Sequence, residues 1–171
     1  TSIMLKGDAV WSLTILFLQM WGNTLSENDI DFEAYKPTKS YPTDGFVQPF
    51  GDSPIDSDLI GENTYMNIIN NAKEYVYIQT PYLILDHEMT TALCLAAQSG
   101  IDVRIITPHI PDKWYVFAVT RSNYKDLIEG GVKIYEYTPG FVHGKSFVVD
   151  DKMAIVGTVN MDYRSYYLHY E

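Results

Sequence analysis

A single cysteine, Cys94, stands in 171 residues. A disulfide within one chain is excluded, and with it a fold stapled by bridges. Cys94 lies in TTALCLAAQ, an apolar helical pattern, and is expected to fill core space rather than act as a nucleophile. Basic residues are also few: 12 Lys and Arg face 22 Asp and Glu, for a formal net charge of −10. That balance argues against a protein that wraps nucleic acid by neutralising phosphates. It argues equally against attraction of the whole molecule to anionic lipid, so affinity for phosphate must be local. Long apolar runs are missing too. Ala9 to Trp21 is the most apolar stretch, and Ser12, Thr14 and Gln19 interrupt it short of the ~20 residues a span needs. No signal-peptide pattern is seen.

What remains is a globular composition, 46% apolar with 14 Tyr, long enough to bury one core. Thr1 to Lys6 reads as a short strand, and Gly7-Asp8 as a break and cap. Ala9 to Trp21 follows as a helix, apolar nearly all round and therefore expected to be buried on most sides. Thr24 to Ser40 is polar, contains Pro37 and reads as a linker or surface loop. Phe46 to Phe50 is a candidate edge strand because of Pro49. Gly51 to Asp58 holds Asp52, Asp56 and Asp58; without EF-hand spacing it reads as a solvated loop rather than a calcium site.

From there helices and strands alternate. Glu62 to Lys73 has helical spacing and YVYIQT at 75–80 reads as a strand. Asp86 is a candidate N-cap for a helix over His87 to Gln98, closed by Ser99-Gly100. VRIIT at 103–107 is a buried strand, Lys113 to Glu129 one helix ended by Gly130-Gly131, and Val132 to Tyr137 a further strand. The expected fold is α/β, with a mixed, mainly parallel sheet flanked by helices on both faces. Sites in such folds lie at the carboxyl ends of strands, here Thr80-Pro81-Tyr82 and Thr107-Pro108-His109. His87-Glu88 lacks the second His of a zinc-protease motif and reads as a helix terminus.

The chemistry concentrates in FVHGKSFVVDDKMAIVGTVN, residues 141–160. The pattern is a hairpin. With Asp151-Lys152 as its loop, Asp150 pairs with Met153, which sets Lys145 across from Thr158 and His143 across from Asn160; Asp-Lys is a weak hairpin loop, so a bulge there is the alternative and would shift this register. Opposed residues lie about 4.5–5.5 Å apart at Cβ. An imidazole, an ammonium, a hydroxyl and a carboxamide would then meet in one pocket suited to a phosphoryl group. Asp150, on the opposite face, would pin the hairpin.

The spacing H-x-K-x4-D-x6-G-[ST]-x-N resembles the phospholipase D superfamily signature, through His143, Lys145, Asp150, Gly157, Thr158 and Asn160. GFVHGKSFVVDD, AIVGTVNMDYRSYYLHYE, TPYLILD and the stretch at 110–137 look like bacterial cardiolipin synthases. The resemblance implies that residues 1–22 are the tail of a preceding homologous half, 23–58 a linker and 59–171 a catalytic half. It implies transfer of a phosphatidyl group between two phosphatidylglycerols through a phosphohistidine, with no metal and no cofactor. His143 would serve as acid/base, with nucleophile as the alternative. Lys145, Thr158 and Asn160 would hold phosphate, and Glu171 would bond His143. The implied partners are the missing first half or a second copy, and the implied location is the bacterial cell membrane. A phosphodiesterase acting on nucleic acid or lipid, and a non-catalytic lipid-binding or dimerisation module, are the competing classes. The acidic charge disfavours the nucleic-acid version.

Overall fold

Side chains on a strand point alternately to its two faces, so YVYIQ and DVRIITP each carry one apolar edge. In the structure, a computed structural model describing residues 2–24, 30–42, 44–55 and 57–171, those edges become the floor of the core. The chain divides into two compact units, Ser2–Gly51 and Asp52–Glu171.

The first unit holds helix α1, Ala9–Thr24, and a 3-10 turn at Phe32–Tyr35. Lys36 lies over the Trp11 ring at 5.9 Å, and Lys6 over Tyr41 at the same distance. Residues 2–6 and 46–50 form no strand, because neither finds a partner ladder among the described residues. Nor is α1 sealed on most sides. Of its described apolar residues Leu18 is buried, while Leu13, Phe17, Met20 and Trp21 are exposed. Its pattern called for burial, but the described residues supply no cover for that face.

The second unit runs α2 (Ile60–Asn71), β1 (Tyr75–Gln79), β2 (Leu83–Ile84), α3 (His87–Gln98), β3 (Asp102–Pro108), α4 (Trp114–Ser122), α5 (Tyr124–Glu129), β4 (Lys133–Tyr137), β5 (Ser146–Val149), β6 (Met153–Val156), β7 (Met161–Asp162) and α6 (Tyr163–Tyr167). The main sheet has the order β4-β3-β1-β5-β6. β1, β3 and β4 are parallel, while β5 runs antiparallel to both β1 and β6. A mixed, mainly parallel sheet flanked by helices is thus the architecture. β2 and β7 form a separate parallel pair.

Val76, Ile78, Val103, Ile105, Phe147 and Val149 are buried with Tyr65, Ile69, Met89, Leu93 and Leu127 in one cluster. Burying such a side chain stabilises by about 1.5–3 kcal/mol, so this cluster dominates the unit. The alternate strand positions Tyr77, Ile106, Tyr135, Tyr137 and Val148 retain exposed surface. Asp86 caps α3 as its position promised, accepting from Met89 N at 2.8 Å, and Gly100 closes the helix at φ +94°.

Two expectations change. The segment 113–129 is two helices, broken at Asn123. There Ser122 Oγ and Asn123 Nδ2 both donate to Val119 O, at 2.7 and 2.9 Å, in competition with the helical amides. The loop at Gly51 to Asp58 is not simply solvated. Asp52 is buried, and its carboxylate accepts from Ser53 N at 3.0 Å and from Gly61 N at 2.7 Å. Asp56 lies outside the described residues.

Candidate active site

The hairpin that carries the motif is held by an unusual turn. Asp150 and Asp151 both adopt left-handed backbone, φ +54° and +52°. Short acidic side chains tolerate that region because they bond locally. Asp150 Oδ1 accepts from Glu74 N and Tyr75 N, each at 2.9 Å, and its Oδ2 accepts from Lys73 N at 2.7 Å. These amides, that of Tyr75 foremost, hold the carboxyl below its ordinary pKa. The hairpin is thereby pinned to the start of β1, far along the strand from His143.

The left-handed pair lengthens the loop to three residues, so Val149 rather than Asp150 faces Met153. The register moves by one. Lys145 now meets Gly157, whose N lies 3.4 Å from Lys145 O, and the two-residue loop expected from the sequence is replaced. His143 and Thr158 fall outside the paired strands, and both are exposed.

His143 and Lys145 meet nonetheless. Lys145 Nζ lies 3.1 Å from His143 Nδ1 and donates to His143 O at 2.9 Å. The imidazole stacks on Phe141 at 5.7 Å between ring centres, and Tyr82 approaches it edge-on at 6.3 Å. Burial lowers the Lys145 pKa, and the negative charges of Glu171 and then Asp162 oppose that shift. Glu171 itself is nearly buried, its side chain 8% exposed, with His169 Nδ1 at 4.0 Å. It makes no hydrogen bond to His143 here; its charge favours the ammonium form of Lys145. Its backbone exchanges two bonds with Asp52, at 2.9 and 3.1 Å.

Asn160 is fixed on both sides. Tyr65 OH donates to Val159 O at 3.0 Å, and Met161 N to Thr80 Oγ1 at 3.3 Å. Asn160 N and Nδ2 both donate to Ser165 Oγ, at 3.1 and 3.0 Å, while its Oδ1 is sealed from solvent without a partner. Ser165 was not legible from the six-position motif. The signal was present in Asp162-x-x-Ser165, a helix-cap spacing, and Asp162 Oδ1 indeed accepts from Ser165 N at 2.7 Å.

A cleft of about 610 Å³ opens beside His143. Its walls are Gln79, Ile106 and Tyr137, toward the carboxyl ends of the parallel strands, together with Phe141 to Gly144. Of the two rims expected at strand ends, Tyr82 touches His143, whereas His109 does not line the cleft. Its Nδ1 lies 2.8 Å from Glu136 Oε2, a carboxylate that also takes two bonds from Arg121. Among the described residues no group of three or more His, Cys, Asp or Glu side chains is placed to hold a metal ion.

A βα sheet with a His-Lys pair just ahead of the first antiparallel strand, β5, is the arrangement of the phospholipase D class. The fold agrees: a crystal structure of a phospholipase D family member, Nuc from Salmonella typhimurium, superposes with a TM-score of 0.55. That match is 16% identical and covers 64% of this chain and 70% of that one. Residues 65–171 match the family described as cardiolipin synthase, PLD-like domain, and the chain belongs to that family. Among relatives, a cardiolipin synthase of Halalkalibacterium halodurans is 40% identical over all of this chain and 34% of its own length. A cardiolipin synthase 2 of Bacillus cereus is likewise 40% identical, again over 34% of its length. An uncharacterized protein of Streptococcus mutans reaches 51% over 37% of its length. The chain thus spans about a third of the relatives it matches.

Proposed function

We propose that this chain forms one half of the active site of a phosphatidyltransferase that makes cardiolipin and glycerol from two phosphatidylglycerols. The observation that carries the reading is the His143–Lys145 contact of 3.1 Å at the edge of an open, partly aromatic cleft. A phosphodiester is exchanged by attack on phosphorus, with cations over its oxygens and an acid for the leaving alkoxide. Lys145 donates to Nδ1 of the neutral ring; the acid is the doubly protonated ring, in which Lys145 keeps its bond to His143 O and the Nε2 proton is given to the leaving oxygen. Lys145 supplies positive charge without a metal, and Glu171 and Asp162 favour its charged form. Asn160 and Thr158 are proposed to bond the phosphoryl oxygens, and Asp150 to hold the hairpin in register.

In this reading a second motif, from the rest of the protein or from another copy, provides the imidazole that attacks phosphorus. The P–O bond to the first glycerol headgroup breaks as the P–N bond forms, and His143 protonates the departing glycerol. His143 then takes the proton of the second phosphatidylglycerol's hydroxyl as that oxygen displaces the histidine. The location that goes with such substrates is the bacterial cell membrane.

The test is the complete enzyme on phosphatidylglycerol vesicles in the presence of a chelator. Cardiolipin and glycerol should form in equal amounts. Lys145→Met should lower kcat by about 10²–10³-fold, as loss of one transition-state donor does, with Tm nearly unchanged. Release of phosphatidic acid without cardiolipin would point to a hydrolase instead. Activity lost in chelator and restored by a divalent metal would overturn the reading.

A further inference from the structure

Ser165 is 1% exposed and stands on α6, where Asp162 Oδ1 fixes its amide at 2.7 Å. Its hydroxyl has one proton and two lone pairs. Both lone pairs are used by a single neighbour, through Asn160 N at 3.1 Å and Asn160 Nδ2 at 3.0 Å. The far end of that carboxamide, Oδ1, is buried with no partner. An unpaired buried polar atom costs roughly 1–3 kcal/mol, so something must keep the carboxamide there against that cost. The bonds to Ser165 do so.

We infer that Ser165 is a positioning residue for Asn160, holding its carboxamide so that the second Nδ2 proton is turned to the phosphoryl group of the substrate. The inference rests on the function proposed above. Nδ2 carries two protons; Ser165 Oγ takes one, and the other is the donor offered to an anionic phosphoryl oxygen. A methyl group at position 165 would leave the carboxamide free to swing, with its orientation set only by water.

The experiment is a double-mutant cycle in the complete enzyme, with kcat and KM measured on phosphatidylglycerol vesicles and Tm measured alongside. Ser165→Ala should lower kcat roughly ten- to a hundred-fold, as small misplacements of a reacting constellation do, and leave KM within about two-fold. Ser165→Thr keeps the hydroxyl and should recover most of the rate. In an Asn160→Ala background, Ser165→Ala should cost nothing further in kcat, because the residue acts through Asn160. If the two losses multiply, the positioning role is overturned while the proposed function stands. If Asn160→Ala turns over at the wild-type rate, the site assignment itself fails and takes the inference with it. Should Ser165→Ala not accumulate as folded protein, Ser165→Cys preserves the volume and carries the same cycle.

Discussion

Tyr167 has one phenolic proton and two carboxylate neighbours. Its OH lies 2.9 Å from Glu62 Oε2 and 2.8 Å from Asp86 Oδ2. One hydroxyl cannot donate to both, so one carboxyl carries a proton of its own, which the neighbouring carboxylate accepts. Burial selects Glu62, whose pKa is pushed from 4.5 up to about 7, while Asp86 is lowered. Between those two Glu62 values the unfolded chain has released a proton that the folded one retains. Stability should therefore fall as pH rises from 4.5 toward about 7. Glu62→Gln keeps a donor in place and removes the titration. Tm followed across this range should slope downward in the wild type relative to the variant; parallel curves would show that the proton is not there. Neither Glu62 nor Tyr167 belongs to the HxK motif, and no local pattern announces such a pair. Its members are 105 residues apart and meet only when α2 and α6 pack.

At the scale of elements, α3 was legible nearly to the residue, because Asp86 and Gly100 are local signals at its two ends. The parallel strands were legible for a similar reason, since each short apolar run is bounded by a helix or a turn. The hairpin register was not. Whether Asp150-Asp151-Lys152 closes with two or three residues depends on a left-handed pair, and that pair depends on amides at 73–75. The break at Asn123 was hidden in the same way, because the apolar period runs through it undisturbed. Close approach of elements is likewise invisible in sequence. At Gly130, just after α5, an added methyl would overlap Cys94 Sγ on α3 and lie 2.8 Å from Cys94 Cβ. Overpacking of this kind costs about 1–3 kcal/mol, so Gly130→Ala should lower Tm by several degrees. Cys94→Ala in the same chain should return part of the loss.

For the whole molecule, the family was legible in six spaced residues, whereas the contacts of Glu171 were not. Its placement depends on the backbone exchange with Asp52, 119 residues earlier in the chain. One chain carries a single His-Lys-Asn set, and the proposed exchange uses two imidazoles in different roles. The 171 residues alone should therefore bind inorganic phosphate weakly and make no cardiolipin. Full transfer activity from a strictly monomeric preparation of this chain, judged by sedimentation, would overturn the two-imidazole scheme. Integrity of the site can be followed in such a preparation without any assay of turnover. A single carboxylate, Asp150, gathers the amides of Lys73, Glu74 and Tyr75, so their proton resonances form a built-in gauge of the hairpin. Because the Asp150 pKa is depressed, the three signals should hold steady above the ordinary aspartate value of about 3.9 and move together on acidification below it. A chain in which they drift separately has lost the strand that presents His143, whatever its global fold reports.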